Sequence, residues 1–532
     1  MNRSEHAHGG DDFGGLILPT RRDFLGLTGA AVVGAALVGT GPAFAHPAAK
    51  RGGTLRVGLP GGPAASDNLD PHQEGVAGFA QAYRQNVYSK LTDMLPDGTF
   101  ENQLAQSITP NKNATLWTIT LRKGVRFHDG SELTADDVIY TFRRILDPAN
   151  GLKQASGNID MVDPAGITKT DRYQLSVRLL KPWSDFRAAV GQRYVNIVKQ
   201  GAAGPWTVAN ANGTGPFKLA AWTPGSEYRL EAHTAYFEAG KPLLAAVRMI
   251  AIPDAVARVN ALVSKQVDAI SDLPVSQAPL VRSAGAKVVV NPGGSWTPLV
   301  MNTTKAPYTD PRVREAMKLL IDREKAVKVA LGGFGTVGND LFARYDELYD
   351  ASIPQRTYDS VKAKQLLKAA GQIGTTFELA TSEAESDFVP LALVFEEGAK
   401  KAGVKLTVRK DPADTFWDKT WGVAPFTFSS WGYRGFFTQW QQSFTAYNKE
   451  ETNWTNDKAN RASRLVSQAA ATGDLARRKV LASQAQRLHW EDGGYIIPYF
   501  KKKLDAVLPT VKGCEPHVFP ALSWYRFKNF SF

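Results

Sequence analysis

The chain has 532 residues but only one cysteine, Cys514, and eight histidines. A single cysteine cannot form an intramolecular disulfide, and without a cysteine cluster the chain offers no thiolate site for zinc or an iron–sulfur centre. The six histidines after residue 45 include no pair at the spacing of a metal site. We therefore expect no cofactor and no metal centre.

Long apolar runs and familiar catalytic motifs are also missing. After residue 45, no run reaches the roughly 18 apolar residues that a transmembrane helix needs. The sequence contains no Gly-x-Ser-x-Gly elbow, P-loop or kinase signature. Residues 333–338 match the dinucleotide pattern G-x-G-x-x-G, but they follow a predicted helix instead of a strand, so we interpret them as a flexible turn. We expect no enzyme, although a carboxylate pair assembled only by folding could still make a glycosidase.

The composition is that of a globular protein, with 43% hydrophobic and 10% aromatic residues. At roughly 150 residues per domain, the length predicts about three domains or subdomains. Lys and Arg total 63 against 51 Asp and Glu, which gives a formal net charge of +12. The basic residues are scattered, so we expect no nucleic-acid partner. The excess charge is either a general surface property or a sign of an anionic ligand.

The N-terminal 45 residues have the layout of an export signal. Arg21 and Arg22 precede the apolar run 26–38, and Ala43-Phe44-Ala45 forms a small-x-small cleavage site. Paired arginines before Phe-Leu are typical of twin-arginine export, and the alternative is a general secretory signal that happens to contain two arginines. Cleavage leaves His46 as the first residue, with no cysteine for lipidation, and raises the formal charge to +13 because the segment has three arginines and four acids. We expect a soluble periplasmic protein.

Strand and helix patterns alternate along the rest of the chain. Apolar residues alternate with polar ones at 53–58 and 117–121, as in half-buried strands. Thr134, Asp254, Asp310 and Asp322 are predicted N-caps of helices. Such interleaving predicts an α/β fold.

Several sequence blocks occur in the order found in one known family. They are LDPH (69–72), VYSKL (87–91), WTITLRKGVRFHDG (117–130), LTADDV (133–138), GTGPF (213–217), NTT (302–304), DPRVREA (310–316) and IDRE (321–324). Over nearly the whole chain after residue 45, this order resembles the extracytoplasmic solute-binding proteins of family 5. That family serves ABC importers of peptides, nickel, opines and some sugars.

The resemblance implies an α/β, periplasmic-binding-protein type II-like fold with two lobes and an extra subdomain on the first lobe. The first lobe is expected at 46–88, 204–300 and 490–532, the extra subdomain at 89–203 and the second lobe at 301–489. A monomer would enclose a small-molecule solute by hinge closure and present it to an ABC permease in the cytoplasmic membrane.

Residues 416–447 contain 12 aromatic residues in 32 positions, where the chain average predicts about three, and Asp418 is the only acid. A packed strand such as 426–428 explains part of this excess. The following residues, Ser429 to Gly435, form a predicted loop, where aromatic side chains are typical of a solute pocket. Phe416, Ser430, Trp431, Gly432, Tyr433 and Arg434 are therefore candidate ligand-binding residues.

The resemblance makes this loop more informative. In peptide-binding members, a Trp at this place is followed by an Asp that pairs with the α-ammonium of the peptide. Trp431 matches that Trp, but Arg434 stands where the Asp is expected. Arginine offers a planar fork to carboxylate or phosphate, which favours an anionic or sugar-like solute such as an opine, sugar acid or modified amino acid. The alternative is a shifted register, with Arg434 exposed and unpaired.

Three further candidates come from the resemblance. Glu74 and Gly75 match a segment that borders the pocket in peptide-binding members, and Glu74 is either an ammonium ligand or a solvated loop acid. Trp296 either stacks on the ligand or packs the hinge. The alternative functions are a short-peptide receptor that uses Glu74, a secreted hydrolase, or a chaperone with a large exposed apolar patch.

Overall fold

The computed structural model describes residues 52–73, 78–444 and 461–532. The predicted export signal at 1–45 and the candidates Glu74 and Gly75 lie outside the described residues. None of the helices in the described part combines the length and the apolar character needed to cross a membrane.

Strands and helices alternate over the described residues, which confirms the predicted α/β class. The strands are β1 (Thr54–Leu59), β2 (Thr92–Met94), β3 (Phe100–Asn102), β4 (Ala105–Pro110), β5 (Leu116–Leu121), β6 (Val162–Asp171), β7 (Gln174–Leu179), β8 (Phe217–Thr223), β9 (Glu227–Ala232), β10 (Ala246–Ala251), β11 (Ala269–Leu273), β12 (Lys287–Trp296), β13 (Leu299–Met301), β14 (Gly335–Val337), β15 (Thr376–Ser382), β16 (Lys405–Asp411), β17 (Phe426–Phe428), β18 (Tyr495–Ile496) and β19 (Tyr499–Val507). The helices are α1 (Phe79–Val87), α2 (Ala135–Leu146), α3 (Lys153–Ser156), α4 (Phe186–Ala189), α5 (Ala255–Val263), α6 (Ala278–Ser283), α7 (Pro311–Leu319), α8 (Arg323–Leu331), α9 (Ser360–Ala369), α10 (Phe388–Lys401), α11 (Phe436–Phe444), α12 (Arg461–Ala470) and α13 (Leu475–Asp492).

The first lobe is built on a mixed sheet that has eight strands among the described residues, in the order β12-β19-β11-β1-β10-β9-β8, with β14 also paired to β19. Leu55, Val57 and Leu59 of β1 are buried, because β1 lies in the interior of the sheet between parallel neighbours β10 and β11. β19 comes from the C-terminal region, so distant parts of the chain complete one sheet.

The extra subdomain contains the antiparallel sheet β4-β5-β7-β6, against which α2 packs. Trp117, Ile119 and Leu121 are buried on one face of β5, as the alternation predicted. Thr134 begins α2, and its backbone N–H donates to Asp137 Oδ2 at 2.7 Å. This reciprocal capping box fixes the start of the helix.

The second lobe combines the antiparallel set β17-β13-β18, the parallel pair β15-β16 and helices α7 to α10. Asp310 and Asp322 cap α7 and α8 by accepting hydrogen bonds from Arg312 N and Lys325 N at 2.8 and 2.9 Å. Gly332 ends α8 with φ +56°, a left-handed conformation that favours glycine. The starts of α7 and α8 agree with the N-caps predicted from the sequence.

The chain crosses between the sheets of the two lobes from β12 to β13 and from β18 to β19. A third link is β14, which pairs with 499–501 of β19. The glycine motif at 333–338 was predicted as a flexible turn, and this part of the prediction is wrong, because its centre is a hydrogen-bonded strand. Gly338 is required there, since a Cβ would lie 2.3 Å from the carbonyl oxygen of Ile497. The lobe boundaries given above remain predictions.

Candidate ligand-binding site

The loop after β17 is joined to the end of β12 by two tryptophans. The backbone N–H of Trp296 donates to Trp431 O at 2.9 Å, and Trp431 N–H donates to Trp296 O at 3.0 Å. Their rings stack with centroids 6.1 Å apart. Trp296 also contacts Phe342 and Tyr495 and is only 1% exposed. Trp296 therefore packs the junction between the lobes in this structure.

Trp431 supports the guanidinium of Arg434. The Cζ atom of Arg434 lies 5.1 Å from the centroid of the Trp431 ring, within cation–π range. Arg434 Nη1 donates to the carbonyl of Gly432 at 3.3 Å. Within the described residues, no carboxylate forms an ion pair with Arg434, which is half-buried. Burial is the main cause that lowers the pKa of Arg434 to about 10, and the positive charge of Arg193 adds to this effect.

Tyr433 fixes the middle of the loop. Its ring lies against Gly294 of β12, where a Cβ would be 2.2 Å from Tyr433 Cδ2, so only glycine leaves room for the ring. Phe519 contacts its other side, with centroids 5.3 Å apart. Burial raises the pKa of the Tyr433 hydroxyl well above its ordinary value. The tight packing holds the backbone of the loop in one position.

The remaining loop candidates and Phe416 occupy different environments. Ser430 is half-buried and Gly432 is exposed with open space around its Cα. Phe416 lies in a π-helical turn and is fully buried in the core of the second lobe, against Phe388 and Trp417. The structure thus brings Trp296, Trp431, Tyr433 and Arg434 together but leaves Phe416 in a separate core.

A cavity of about 470 Å³ opens beside this loop, between residues of the predicted extra subdomain and residues of the predicted second lobe. Tyr433 and Gly435 line it from the loop. The extra subdomain supplies residues within 94–100, 157–161 and 183–192, and the second lobe supplies residues within 346–348, 433–441 and 475–478. This volume is in the range of small-molecule sites.

Two carboxylates among the residues that line this cavity, those of Asp185 and Asp346, lie close to Gly435. A Cβ on Gly435 would lie 3.2 Å from Asp346 Oδ2 and 3.8 Å from Asp185 Oδ2. Asp346 accepts hydrogen bonds from the backbone N–H groups of Phe436 at 2.8 Å and Leu348 at 2.9 Å. Burial raises the pKa of both carboxyl groups, and the charge of Asp346 raises that of Asp185 further.

Sequence reasoning missed Asp185, Asp346, Gln192 and Arg193. They lie in segments far apart in the chain, and no local pattern marks them. The sequence analysis came nearest to Asp185 and Asp346 when it left open that folding could assemble a carboxylate pair.

The sequence pattern of the family described as "Bacterial extracellular solute-binding proteins, family 5 Middle" matches residues 99–454, more than half of the chain. The chain belongs to this family. This confirms the resemblance drawn from the sequence. Family 5 solute-binding proteins are the periplasmic substrate-binding proteins of ABC importers and deliver their ligands to the permeases.

Individual relatives differ in what they bind. The glutathione-binding protein GsiB of Escherichia coli (strain K12) is 25% identical over 463 residues, covering 84% of this chain and 89% of its own. The structure of DppA from Helicobacter pylori in complex with the peptide STSA aligns with a TM-score of 0.69 and 22% identity, covering 91% of this chain and 98% of its own. The structure of AgaA from A. tumefaciens R10 in complex with agropinic acid aligns with a TM-score of 0.69 and 24% identity. The alignment covers 90% of this chain and 99% of AgaA. These likenesses confirm the periplasmic-binding-protein type II-like fold.

Proposed function

We propose that this family 5 protein is an exported, monomeric receptor for a small polar solute with an anionic or sugar-like group, such as an opine, sugar acid or modified amino acid. It holds the solute between its lobes and delivers it to the permease of an ABC importer without a catalytic step. Arg434 carries the proposal, since its half-buried guanidinium has no ion pair among the described residues and the residue stands in the chain between Tyr433 and Gly435, which line the cavity.

A half-buried arginine without a counter-ion lowers the stability of the folded protein unless the ligand supplies a negative charge. Removing a cation from water without a counter-ion is unfavourable, and a carboxylate or phosphate offers bidentate hydrogen bonds to the guanidinium. Trp431 holds the guanidinium by a cation–π contact and adds flat apolar area for a solute. Glu74 and Gly75, which match a pocket-bordering segment of peptide-binding family members, remain part of the proposed ligand-binding set.

The solute class is tested by a thermal-shift screen of mature protein that has been refolded to remove any carried ligand. The panel contains opines including agropinic acid, sugar acids, oligosaccharides, glutathione, di- to pentapeptides, and nickel with and without a chelator. A ligand at about 100 times its dissociation constant adds roughly 2.7 kcal/mol to the unfolding free energy. A hit among opines or sugar acids supports the proposal, and a hit confined to neutral oligosaccharides or nickel contradicts the role of Arg434.

Arg434→Ala tests the residue directly. We expect it to weaken binding of the anionic hit by roughly 2–5 kcal/mol, measured by calorimetry, with little change in melting temperature. The control is Arg126→Ala, which removes an exposed arginine that donates to Gly130 O at 2.8 Å. Equal affinities of the two variants would show that Arg434 does not contact the ligand.

A short-peptide receptor is the second candidate. Asp185 and Asp346 line the cavity and would supply negative charge for the α-ammonium of a peptide. In that case only peptides raise the melting temperature. The same screen, followed by mass spectrometry of the bound solute, tests the hydrolase alternative, because turnover would give new product masses.

A further inference from the structure

The cavity beside the loop after β17 is acidic, whereas the protein as a whole is basic. The chain has a formal net charge of +12, but the residues that line this cavity include four acids and only two arginines. Arg478 pairs with Glu347 at 3.6 Å, and Arg187 donates to the side chain of Asn102 at 3.1 Å, so both guanidiniums already have partners. The other acids leave an excess of negative charge in the cavity.

Two of these acids, Asp185 and Asp346, come from distant segments of the chain. Their Oδ2 atoms lie 3.8 and 3.2 Å from the position of a Cβ on Gly435, so the two oxygens can be no farther apart than the sum of these distances. Asp346 accepts hydrogen bonds from two backbone N–H groups. Asp185 forms no hydrogen bond or ion pair with the described residues. One carboxylate is therefore held in place, and the other has no partner.

The hydroxyl of Tyr433 is a second polar group without a partner. Tyr433 is only 8% exposed and lines the cavity, and its hydroxyl oxygen would lie 2.8 Å from a Cβ on Gly98, which also lines the cavity. Within the part of the chain that the structure describes, this hydroxyl forms no hydrogen bond. A polar group buried in this way lowers stability unless a molecule in the cavity bonds to it.

The rest of the lining suits an organic cation. Phe100, Trp183 and Tyr433 supply aromatic rings. Ammonium and guanidinium groups donate to carboxylates and lie favourably over aromatic faces. Burial and the negative charge of Asp346 raise the pKa of Asp185, and a cation beside Asp185 would act in the opposite direction, because it favours the charged form.

We propose that this cavity binds a cationic nitrogen group of the solute, an ammonium or a guanidinium, between Asp185 of the predicted extra subdomain and Asp346 of the predicted second lobe, with the Tyr433 hydroxyl as a further acceptor. This inference rests on the proposed function and narrows it. The solute is then amphoteric, with a cationic nitrogen as well as an anionic or sugar-like part, as in opines and modified amino acids but not in simple sugar acids.

A simple organic cation tests the site. Benzylamine is charged near pH 7 and carries one aromatic ring, and benzyl alcohol is its neutral analogue of nearly the same size. We expect benzylamine to give a saturable rise in the melting temperature of the native chain, refolded to remove any carried ligand, and benzyl alcohol to give none. Asp185→Asn and Asp346→Asn should each abolish the rise, because each removes one negative charge.

Asp136→Asn is the matched control, since Asp136 is an acid of the predicted extra subdomain that pairs with Lys169 and does not line the cavity. It should keep the rise, and the melting temperature of each variant without probe shows that the variant is folded. The cation site is wrong if the native chain shows no saturable rise, if benzyl alcohol gives an equal rise, or if the rise survives in Asp185→Asn and Asp346→Asn.

The solute gives a second test that does not depend on the probe. N-acetylation of an amphoteric solute found by screening removes its cationic charge, so we expect its affinity to fall roughly tenfold or more for the native chain and to change less for Asp185→Asn. Hits confined to sugar acids that lack nitrogen would overturn this inference and leave the receptor function standing. Hits confined to peptides would keep the cation site, because a peptide supplies an α-ammonium, but would reject the proposed solute class.

Discussion

The negative charge of the Asp185 carboxylate is poorly stabilised by its surroundings. Its side chain accepts no hydrogen bond from the described residues, Asp346 and Glu347 add negative charge nearby, and Arg478 is the cation that acts on it. Burial, reinforced by the negative charge of Asp346, raises the pKa of Asp185 well above the ordinary value of 3.8. The folded protein binds this proton more tightly than the unfolded chain, so Asp185 lowers stability as the pH rises above that ordinary value.

Asp185→Asn removes this penalty. We expect its melting temperature to exceed that of the native chain by about 1 °C or more near pH 7 and to equal it near pH 4. Differential scanning calorimetry over this pH range measures the difference.

Asp163→Asn provides a control of opposite sign. A hydrogen bond from Arg178 lowers the pKa of Asp163, so the folded protein favours its charged form and the native carboxylate stabilises above its unfolded pKa. This variant should be less stable near pH 7. Identical shifts for both substitutions would contradict the argument from Asp185.

At the scale of elements, the start of α2 shows how two neighbouring acids differ. Asp137 is 5% exposed and accepts hydrogen bonds from Thr134 N at 2.7 Å and from Gln200 N at 2.8 Å. Asp137 therefore connects the start of α2 to Gln200, near the C-terminal end of the predicted extra subdomain. Asp136 in the same turn is half-buried, and its partly accessible carboxylate pairs with Lys169 at 2.6 Å.

Asp137→Ala should lower the free energy of unfolding by about 1–3 kcal/mol, because the cap is lost and a buried N–H is left without an acceptor. Asp136→Ala should cost at most about 1 kcal/mol, as exposed ion pairs do. Urea denaturation of the two variants measures the contrast. Similar losses for both would mean that charge at the helix N-terminus matters more than the cap.

At the scale of the molecule, the lobes are linked by strands that belong to distant parts of the chain. β19 lies between β12 and β11 in the sheet of the first lobe, and β14 from the second-lobe segment pairs with β19. We expect the lobes to unfold together for this reason.

Gly338→Ala tests this linkage, since the added Cβ would meet the carbonyl of Ile497 in the crossing from β18 to β19. The unfolding free energy should fall by roughly 1–3 kcal/mol, with the same midpoint shift in far-ultraviolet circular dichroism and in tryptophan fluorescence. Gly432→Ala, at an open position, should leave both midpoints unchanged. Two separate midpoints would show that the lobes unfold independently.

The sequence determined the local elements and the family. Caps at Thr134, Asp310 and Asp322 and the alternation in β5 depend on neighbouring residues, so they were predictable from spacing. The sequence blocks that resemble the family also predicted the overall fold. The Trp431–Arg434 loop was also marked by its aromatic content, although its role in binding remains a proposal.

Only the tertiary structure decided which side chains meet. Trp296 lies in the junction between the lobes and Phe416 lies in a separate core. Residues 335–337, predicted as part of a flexible turn, form strand β14. The tertiary structure also brought Asp185 to Asp346. These contacts join residues far apart in the chain, and no local spacing encodes them, because their charges and rings interact only after the sheets have brought distant segments together.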